Sequence, residues 1–398
     1  MSQTSSLRFN PLVSRIPQPL IPLAQSWLDA YSGSHGPAID LSQAVPGYPP
    51  HPDILRELAV AGGSIDSVGY GSIEGEDDLR SVYAAHLTEK YKAPVAASET
   101  QITAGCNQAF FATVMALAGP GNDVLVSNPC YFNHESTLAM LGIGVETFNC
   151  NAADGFSPDL ANIEAALAGP KGDRIRAIAL VSPNNPTGAV YGHDLLQAIY
   201  DLCAARGIWL VLDETYRDFL PDTGEAPHGL FSNKDWQKTF IQLYSFSKSF
   251  CIPGHRVGAV TAGVEVITEI GKIMDNLQIC ATRAPQIALA KTLQPMAGWR
   301  RSNTEEIGRR AAVFKDVFGK VPGWSIAAIG AYFAYVKHPF SGIGSVAVAQ
   351  RLAQDYGVLG LPGEFFGTGQ EEYLRLAFAN VDVATIATVP SRLALMSE

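Results

Sequence analysis

The sequence predicts an α/β fold: a mostly parallel, seven-stranded-type sheet covered on both faces by helices, with a smaller α+β domain beside it. Three observations predict it. Seven short apolar runs, at 101–103, 123–126, 145–148, 177–181, 209–212, 240–243 and 257–260, have the length of buried strands. Helical patterns alternate with them, at 74–91, 107–118, 133–141, 158–167, 193–206 and 262–275, and strands separated by helices run parallel under helical cover. Beyond about residue 290 the texture changes to a long charged helix followed by short strands.

Taken in order, the chain opens on an arm rich in proline (Pro11, Pro17, Pro19, Pro22) and a short helical pattern through Leu23, Trp27 and Leu28, too short to fold alone. The alternating region spans 46–290 and forms the expected large domain. A charged helix over 297–318, strands near 324–327, 331–336 and 373–378, and a helix at 344–355 make the smaller one. The arm is expected to pack on it, so that 1–45 and 291–398 build one small domain from both ends of the chain.

At 398 residues the chain can bury a large core. Its 28 Lys and Arg against 38 Asp and Glu leave a net charge of −10, which argues against nucleic acid or an anionic membrane as partner. No apolar run approaches the roughly 20 residues of a spanning helix, and the polar stretch 1–10 carries no secretory signal. Cys106, Cys130, Cys150, Cys203, Cys251 and Cys280 are scattered without a C-x-x-C pair. They are expected to be reduced thiols in a cytoplasmic protein, with no metal site.

Four segments carry candidate chemistry. In 244–258, Lys248 lies among Ser245, Ser247 and Ser249, behind an apolar strand and ahead of Arg256. Burial disfavours an ammonium, and a neutral lysine amine condenses with carbonyls. With serine and arginine donors nearby, the economical partner is a carbonyl compound that carries a phosphate, pyridoxal 5′-phosphate (PLP); a surface Ser-Lys loop is the plainer alternative. Thr103–Ala109 follows a strand and opens a helix, so Gly105 and the amides of Cys106 and Asn107 suit an anion, or simply make a strand-to-helix turn. Neither it nor Gly69-Tyr70-Gly71 is a dinucleotide fingerprint. Ser182–Gly188 is a rigid loop able to aim an asparagine, or one selected for shape alone. Asp213 emerges from an apolar strand, where a carboxylate needs a cationic partner, unless it caps the next helix.

Together these segments resemble the class I/II aminotransferases, enzymes of PLP fold type I, over nearly the whole chain. The N-P-x-G loop matches Asn185-Pro186-Thr187-Gly188, and the D-x-x-Y strand end matches Asp213 and Tyr216. The S-x-S-K segment with its distal arginine matches Ser245, Ser247, Lys248 and Arg256. Tyr70, Gly75, Leu79 and Arg80 match the Y-x(4)-G-x(3)-L-R pattern, and Arg375 with Phe378 and Ala379 matches the C-terminal R-x-x-F-A.

The resemblance implies that Lys248 holds PLP covalently and shuttles a proton, and that Asp213 pairs with the pyridine nitrogen. It further implies that Tyr216 and Asn185 bond the phenolic oxygen and that Tyr131 stacks on the ring. Ser245, Ser247, Arg256, Cys106 and Asn107 would bind the phosphate. Tyr70 would reach the phosphate of a neighbouring subunit, making a homodimer with shared sites. Arg375 would grip the substrate carboxylate, with Asn185 and the Ala44 backbone beside it. Amino-acid and 2-oxo-acid substrates follow, exchanged by ping-pong transamination. Two departures bear on specificity. Ala44-Val45-Pro46 stands where the family has G-x-P, and 276–280 lacks the second arginine of dicarboxylate-specific members, Arg283 being offset. A neutral or aromatic donor is therefore favoured over a dicarboxylic one. A C–S β-lyase or another lyase is the alternative, and a non-catalytic PLP-binding sensor a more distant one. His51, Arg217 and Tyr332 are expected to tune the pocket or to be structural only.

Overall fold

The computed structural model describes residues 9–396. Residues 1–8, which include most of the polar stretch examined for a signal and the first part of the arm, and 397–398 lie outside the described residues.

The strands are, in chain order, β1 (Ile39–Asp40), β2 (Thr100–Thr103), β3 (Asp123–Asn128), β4 (Gly144–Asn149), β5 (Ile175–Val181), β6 (Trp209–Asp213), β7 (Phe240–Ser245), β8 (Gly258–Thr261), β9 (Ser325–Gly330), β10 (Phe333–Lys337), β11 (Val358–Leu359), β12 (Leu361–Pro362) and β13 (Tyr373–Leu376). Each of the seven apolar runs became a strand of one sheet, ordered β2-β8-β7-β6-β5-β3-β4. Its pairs are parallel from β4 across to β7, and only β8 runs against its neighbours.

Side chains of these strands alternate between two cores. Leu125, Ile178, Leu180, Leu210 and Leu212 enter one, while Val124, Val126, Ala177, Ala179, Val211 and Ile241 enter the other. A strand points successive side chains to opposite faces, so a run apolar at every position is what a doubly covered sheet requires. The helices Asp77–Tyr91, Cys106–Leu117, Phe132–Leu141, Leu160–Ala168, His193–Arg206 and Val264–Gln278 form close to the expected places.

The second sheet, β12-β13-β10-β9, is antiparallel. β1 pairs in parallel with β11, Ile39 opposite Val358 and Asp40 opposite Leu359. Ala24, Trp27 and Leu28 of the helix Leu20–Asp29 share one core with Leu352, Val358 and Ile386. The helices Ala297–Phe318 and Ser345–Tyr356 also match their patterns. Strand β10 starts two residues later than expected, because Ala331 takes a positive φ of 44° and turns the chain instead of extending it. Among the described residues, the longer helices Pro52–Gly62, Arg283–Thr292 and Val383–Leu393 were not foreseen, nor were the four-residue helices Pro11–Ser14 and Phe246–Ser249. Among the described residues, no helix is long and apolar enough to cross a membrane.

Candidate active site

Ligands of an open α/β sheet bind beyond the carboxyl ends of its parallel strands. Here β3, β5, β6 and β7 end around one cavity of about 240 Å³, whose walls include Lys248, Asp213, Tyr216, Asn185, Tyr131, Cys106, Asn107, Ser245, Ser247, Arg256, Ala44 and Arg375. The sequence-predicted residues thus converge, with one exception. Tyr70 is exposed and does not line this cavity of the single chain.

Lys248 stands on the four-residue helix Phe246–Ser249, directly after β7, and meets the cavity with protein around the rest of its side chain. Burial, then the positive Arg256 and Arg375, pull its ammonium down to about 8. An amine this close to neutrality is partly deprotonated in ordinary buffers. Asp213 closes β6. Burial would raise its carboxyl, but His134 and Thr215 more than offset that and hold it below the usual carboxylate range. The Thr215 amide donates to Asp213 Oδ1 at 2.9 Å, and His134 Nε2 lies 3.6 Å from Oδ2. His134 is itself fixed by stacking on Phe110, with ring centroids 3.8 Å apart.

At one end of the cavity, Gly105 has φ +87° and no side chain caps the helix Cys106–Leu117 behind it. A Cβ at Gly105 would come within 2.1 Å of Arg256 Nη2, so only glycine lets the guanidinium lie against this turn. Arg256 donates to the carbonyls of Pro253 (2.9 Å) and Ala104 (3.3 Å). Ser245 Oγ accepts from the Ser247 amide at 3.3 Å, whereas the buried Ser247 Oγ has no partner. Burial, with Asp213 close by, pushes the Cys106 thiol well up, so it stays protonated.

At the other end Arg375 is buried. Its Nη1 donates to Asn185 Oδ1 at 2.9 Å and its Nη2 to the Ser42 carbonyl, while Nε is unpartnered. Burial lowers it to about 10, still cationic at neutral pH. Tyr216, also buried, packs on Phe333 and Tyr332, and burial raises its phenol well above the ordinary value, which keeps it a donor. Tyr131 Oη accepts from Asn133 at 2.8 Å.

The three residues considered as pocket tuners lie elsewhere. His51 caps Pro52–Gly62 through Nδ1 (3.1 Å from the Asp53 amide), Tyr332 backs Tyr216, and Arg217 is buried behind the site. Arg283 is held by Glu76 (2.6 and 3.1 Å) and by the Gly69 carbonyl. Sequence reasoning missed His134, Thr215, Ile21, Ser42 and Gln43. Ser42 and Gln43 lie beside Ala44 in the sequence, whereas Ile21 is brought in from the arm helix. His134 gave no signal, since it reads as one more helix position.

The chain belongs to the aminotransferase class I and II family, whose model matches residues 37–393. It is an aminotransferase, and enzymes of this family use PLP. An aromatic aminotransferase, ISS1, of Arabidopsis thaliana is 28% identical over 81% of this chain and 80% of that protein. An aspartate aminotransferase of Thermotoga maritima is 27% identical over 86% of each, and the arginine–pyruvate transaminase AruH of Pseudomonas aeruginosa 29% over 82% and 83%. Among solved structures, substrate-bound BacF from Bacillus subtilis superposes with a TM-score of 0.88 at 22% identity, covering 98% of both chains. A Thermus thermophilus aspartate aminotransferase variant gives 0.87 at 23%, covering 98% and 99%.

The residues present fit PLP. An orphaned serine hydroxyl, an uncapped helix start and a glycine turn that admits Arg256 form a cradle for a phosphate. An ionised buried carboxylate suits a pyridinium, and a lysine brought down to about 8 suits an aldehyde.

Proposed function

We propose that this aminotransferase takes neutral or aromatic L-amino acids in preference to dicarboxylic ones and passes the amino group to a 2-oxo acid. One observation carries the preference. Arg375 and Arg256 are the arginines of this chain that line the cavity; Arg256 lies at the phosphate cradle, and Arg283 is engaged by Glu76. That leaves Arg375 for the α-carboxylate and, among the described residues of this chain, no second guanidinium for a distal one. Ile21, Val45 and Phe132 place apolar side chains in the remaining wall beside Ser42, Gln43 and Asn133, and no cation. The names of the relatives span aromatic, aspartate and arginine donors, so they support the reaction more than the donor.

Bound PLP supplies an aldehyde that condenses with amines and a ring that withdraws electrons from the bond being broken. Lys248 would hold the aldehyde carbon and would carry the proton between the substrate Cα and the cofactor C4′. Asp213, kept ionised by His134, holds the proton on the pyridine nitrogen. Tyr216 and the free Nδ2 of Asn185 would donate to the phenolic oxygen, and Tyr131 would cover the ring. Ser245, Ser247, Arg256 and the amides of Cys106 and Asn107 bind the phosphate. Arg375 binds the α-carboxylate as a two-pronged donor beside Asn185 and Ala44.

The reading extends to assembly. Ile65, Val68, Tyr70, Leu277 and Ile279 are exposed apolar groups, which supports a homodimer in which Tyr70 serves the partner's phosphate. Residues 46–290 and the pair 1–45 with 291–398 are read as two domains around the cavity, and the enzyme as cytoplasmic. The test is the absorbance of the purified enzyme with single amino acids from a panel. Conversion of the PLP band by aromatic or neutral donors, reversed by a 2-oxo acid, is expected. Conversion by aspartate or glutamate alone would sink the preference, and pyruvate with ammonia would point to a lyase. Sedimentation at twice the mass of one chain checks the dimer.

A further inference from the structure

Behind the cavity lies a second polar layer whose members are chain neighbours of the site residues: Glu214 follows Asp213, Arg217 follows Tyr216, Tyr244 precedes Ser245 and Ser249 follows Lys248. It is largely enclosed. Tyr244 and Ser249 are 2% and 3% exposed, and the Asp218 side chain 7%. Tyr244 Oη donates to Asp218 Oδ2 and lies 2.6 Å from Ser249 Oγ. The Arg217 guanidinium sits 4.0 Å from the centroid of the Tyr244 ring.

The direction of these bonds is forced. Burial would raise the Asp218 carboxyl, but Lys90, Arg217 and Arg300 hold it far below its usual range, so it accepts only. A phenol has one proton, and Tyr244 gives it to that carboxylate. Ser249 must then donate to Tyr244. The helix carrying Lys248 needs such a tie, because four residues make almost no helix of their own. Its other side-chain ties are long: the Ser247 amide donates to Ser245 Oγ at 3.3 Å and Cys251 Sγ to the Lys248 carbonyl at 3.8 Å.

We propose that Tyr244 is a positioning residue for Lys248: clamped between Asp218 and Ser249, its hydroxyl fixes the C-terminal end of the short helix and with it the aim of the amine. The proposal rests on the reading of Lys248 as the site of PLP attachment. There the amine nitrogen adds to the aldehyde carbon, and a C=N bond forms as water leaves.

The experiment compares two ligands on the stripped, full-length chain. PLP needs the lysine for covalent capture, followed by absorbance; pyridoxamine 5′-phosphate binds the same cradle and Asp213 without it. Misaiming a reacting group by about 1 Å costs up to about 100-fold, so Tyr244→Phe and Ser249→Ala should each slow capture by about 10-fold. Their pyridoxamine phosphate affinity should stay unchanged, and the double variant should be no slower than the singles, because one clamp is lost in each. Capture at the wild-type rate in Ser249→Ala, or equal loss of both ligands in both variants, would overturn the proposal. Lys248→Ala is the control for the underlying reading: capture that survives there removes the attachment site itself, independently of Tyr244.

Discussion

Arg375→Lys keeps the charge at the proposed carboxylate grip and removes the fork. The guanidinium is buried, spends Nη1 on Asn185 and Nη2 on the Ser42 carbonyl, and lies 4.8 and 5.3 Å from the Phe333 and Phe366 ring centroids. These contacts fix its plane and leave the buried Nε without a partner. A lysine ammonium is a point charge that cannot hold Asn185 and Ser42 while presenting two parallel donors. The substrate carboxylate then loses one charge-assisted hydrogen bond, about 1.5–3 kcal/mol. At 1.4 kcal/mol per factor of ten, kcat/KM for the preferred donor should fall roughly 10- to 150-fold. The carboxylate is bound equally before and during the chemistry, so most of the loss should appear in KM. Steady-state kinetics on the donor identified by the panel, with Tm to verify folding, reads both. A folded variant whose kcat/KM stays within about twofold of wild type would refute the assignment of Arg375.

Three further outcomes are expected. Lys248 binds its proton up to about 8 in the folded chain against 10.5 ordinarily, so the buried charge costs most below pH 8 and the cost fades as pH rises toward 10.5. The stripped Lys248→Met variant should therefore be more stable than wild type at pH 7, by up to about 3 kcal/mol, and lose that advantage near pH 10.5; a variant less stable at pH 7 in denaturant titration contradicts this. His134→Ala removes the larger of the two influences that keep the Asp213 carboxyl low and leaves the Thr215 bonds in place. The stability that this ionised group contributes, present above the unfolded value and lost as pH falls through the folded one, should shrink, and acid unfolding followed by circular dichroism should begin at a higher pH. Gly105→Ala combines a positive φ with a clash against Arg256; it should destabilise by about 1–2 kcal/mol and weaken inorganic phosphate binding in titration calorimetry, and unaltered phosphate affinity would count against the cradle.

The sheet was legible because a doubly covered strand is apolar at every position, and the site because its residues lie at strand ends, where polar groups interrupt such runs. Asp213 after Leu210-Val211-Leu212 and Lys248 after Phe240–Leu243 are that kind of interruption. Helix Pro52–Gly62 escaped because Leu55 and Val60 are exposed and blur its apolar stripe. His134 escaped because its role depends on Phe110 and Asp213, two elements that only folding brings beside it. Arg217, for which pocket tuning and a purely structural place were both open, took the structural one: consecutive residues past a strand end face different sides, and it went to the buried layer.

The pairing of β1 with β11 sets a timetable for the enzyme's birth. Ile21, Ser42 and Gln43 close one wall of the cavity, and the core that seats them is completed by Leu352, Val358 and Ile386 from the far end of the chain. Synthesis runs from the N terminus, so the arm waits undocked on the ribosome while the residues of the large sheet emerge and pair. A nascent chain stalled before residue 358 should present Lys248 to PLP without the Arg375 grip, and cofactor capture should precede amino-acid binding; ribosome-bound chains of stepped length, assayed for each, would display the order.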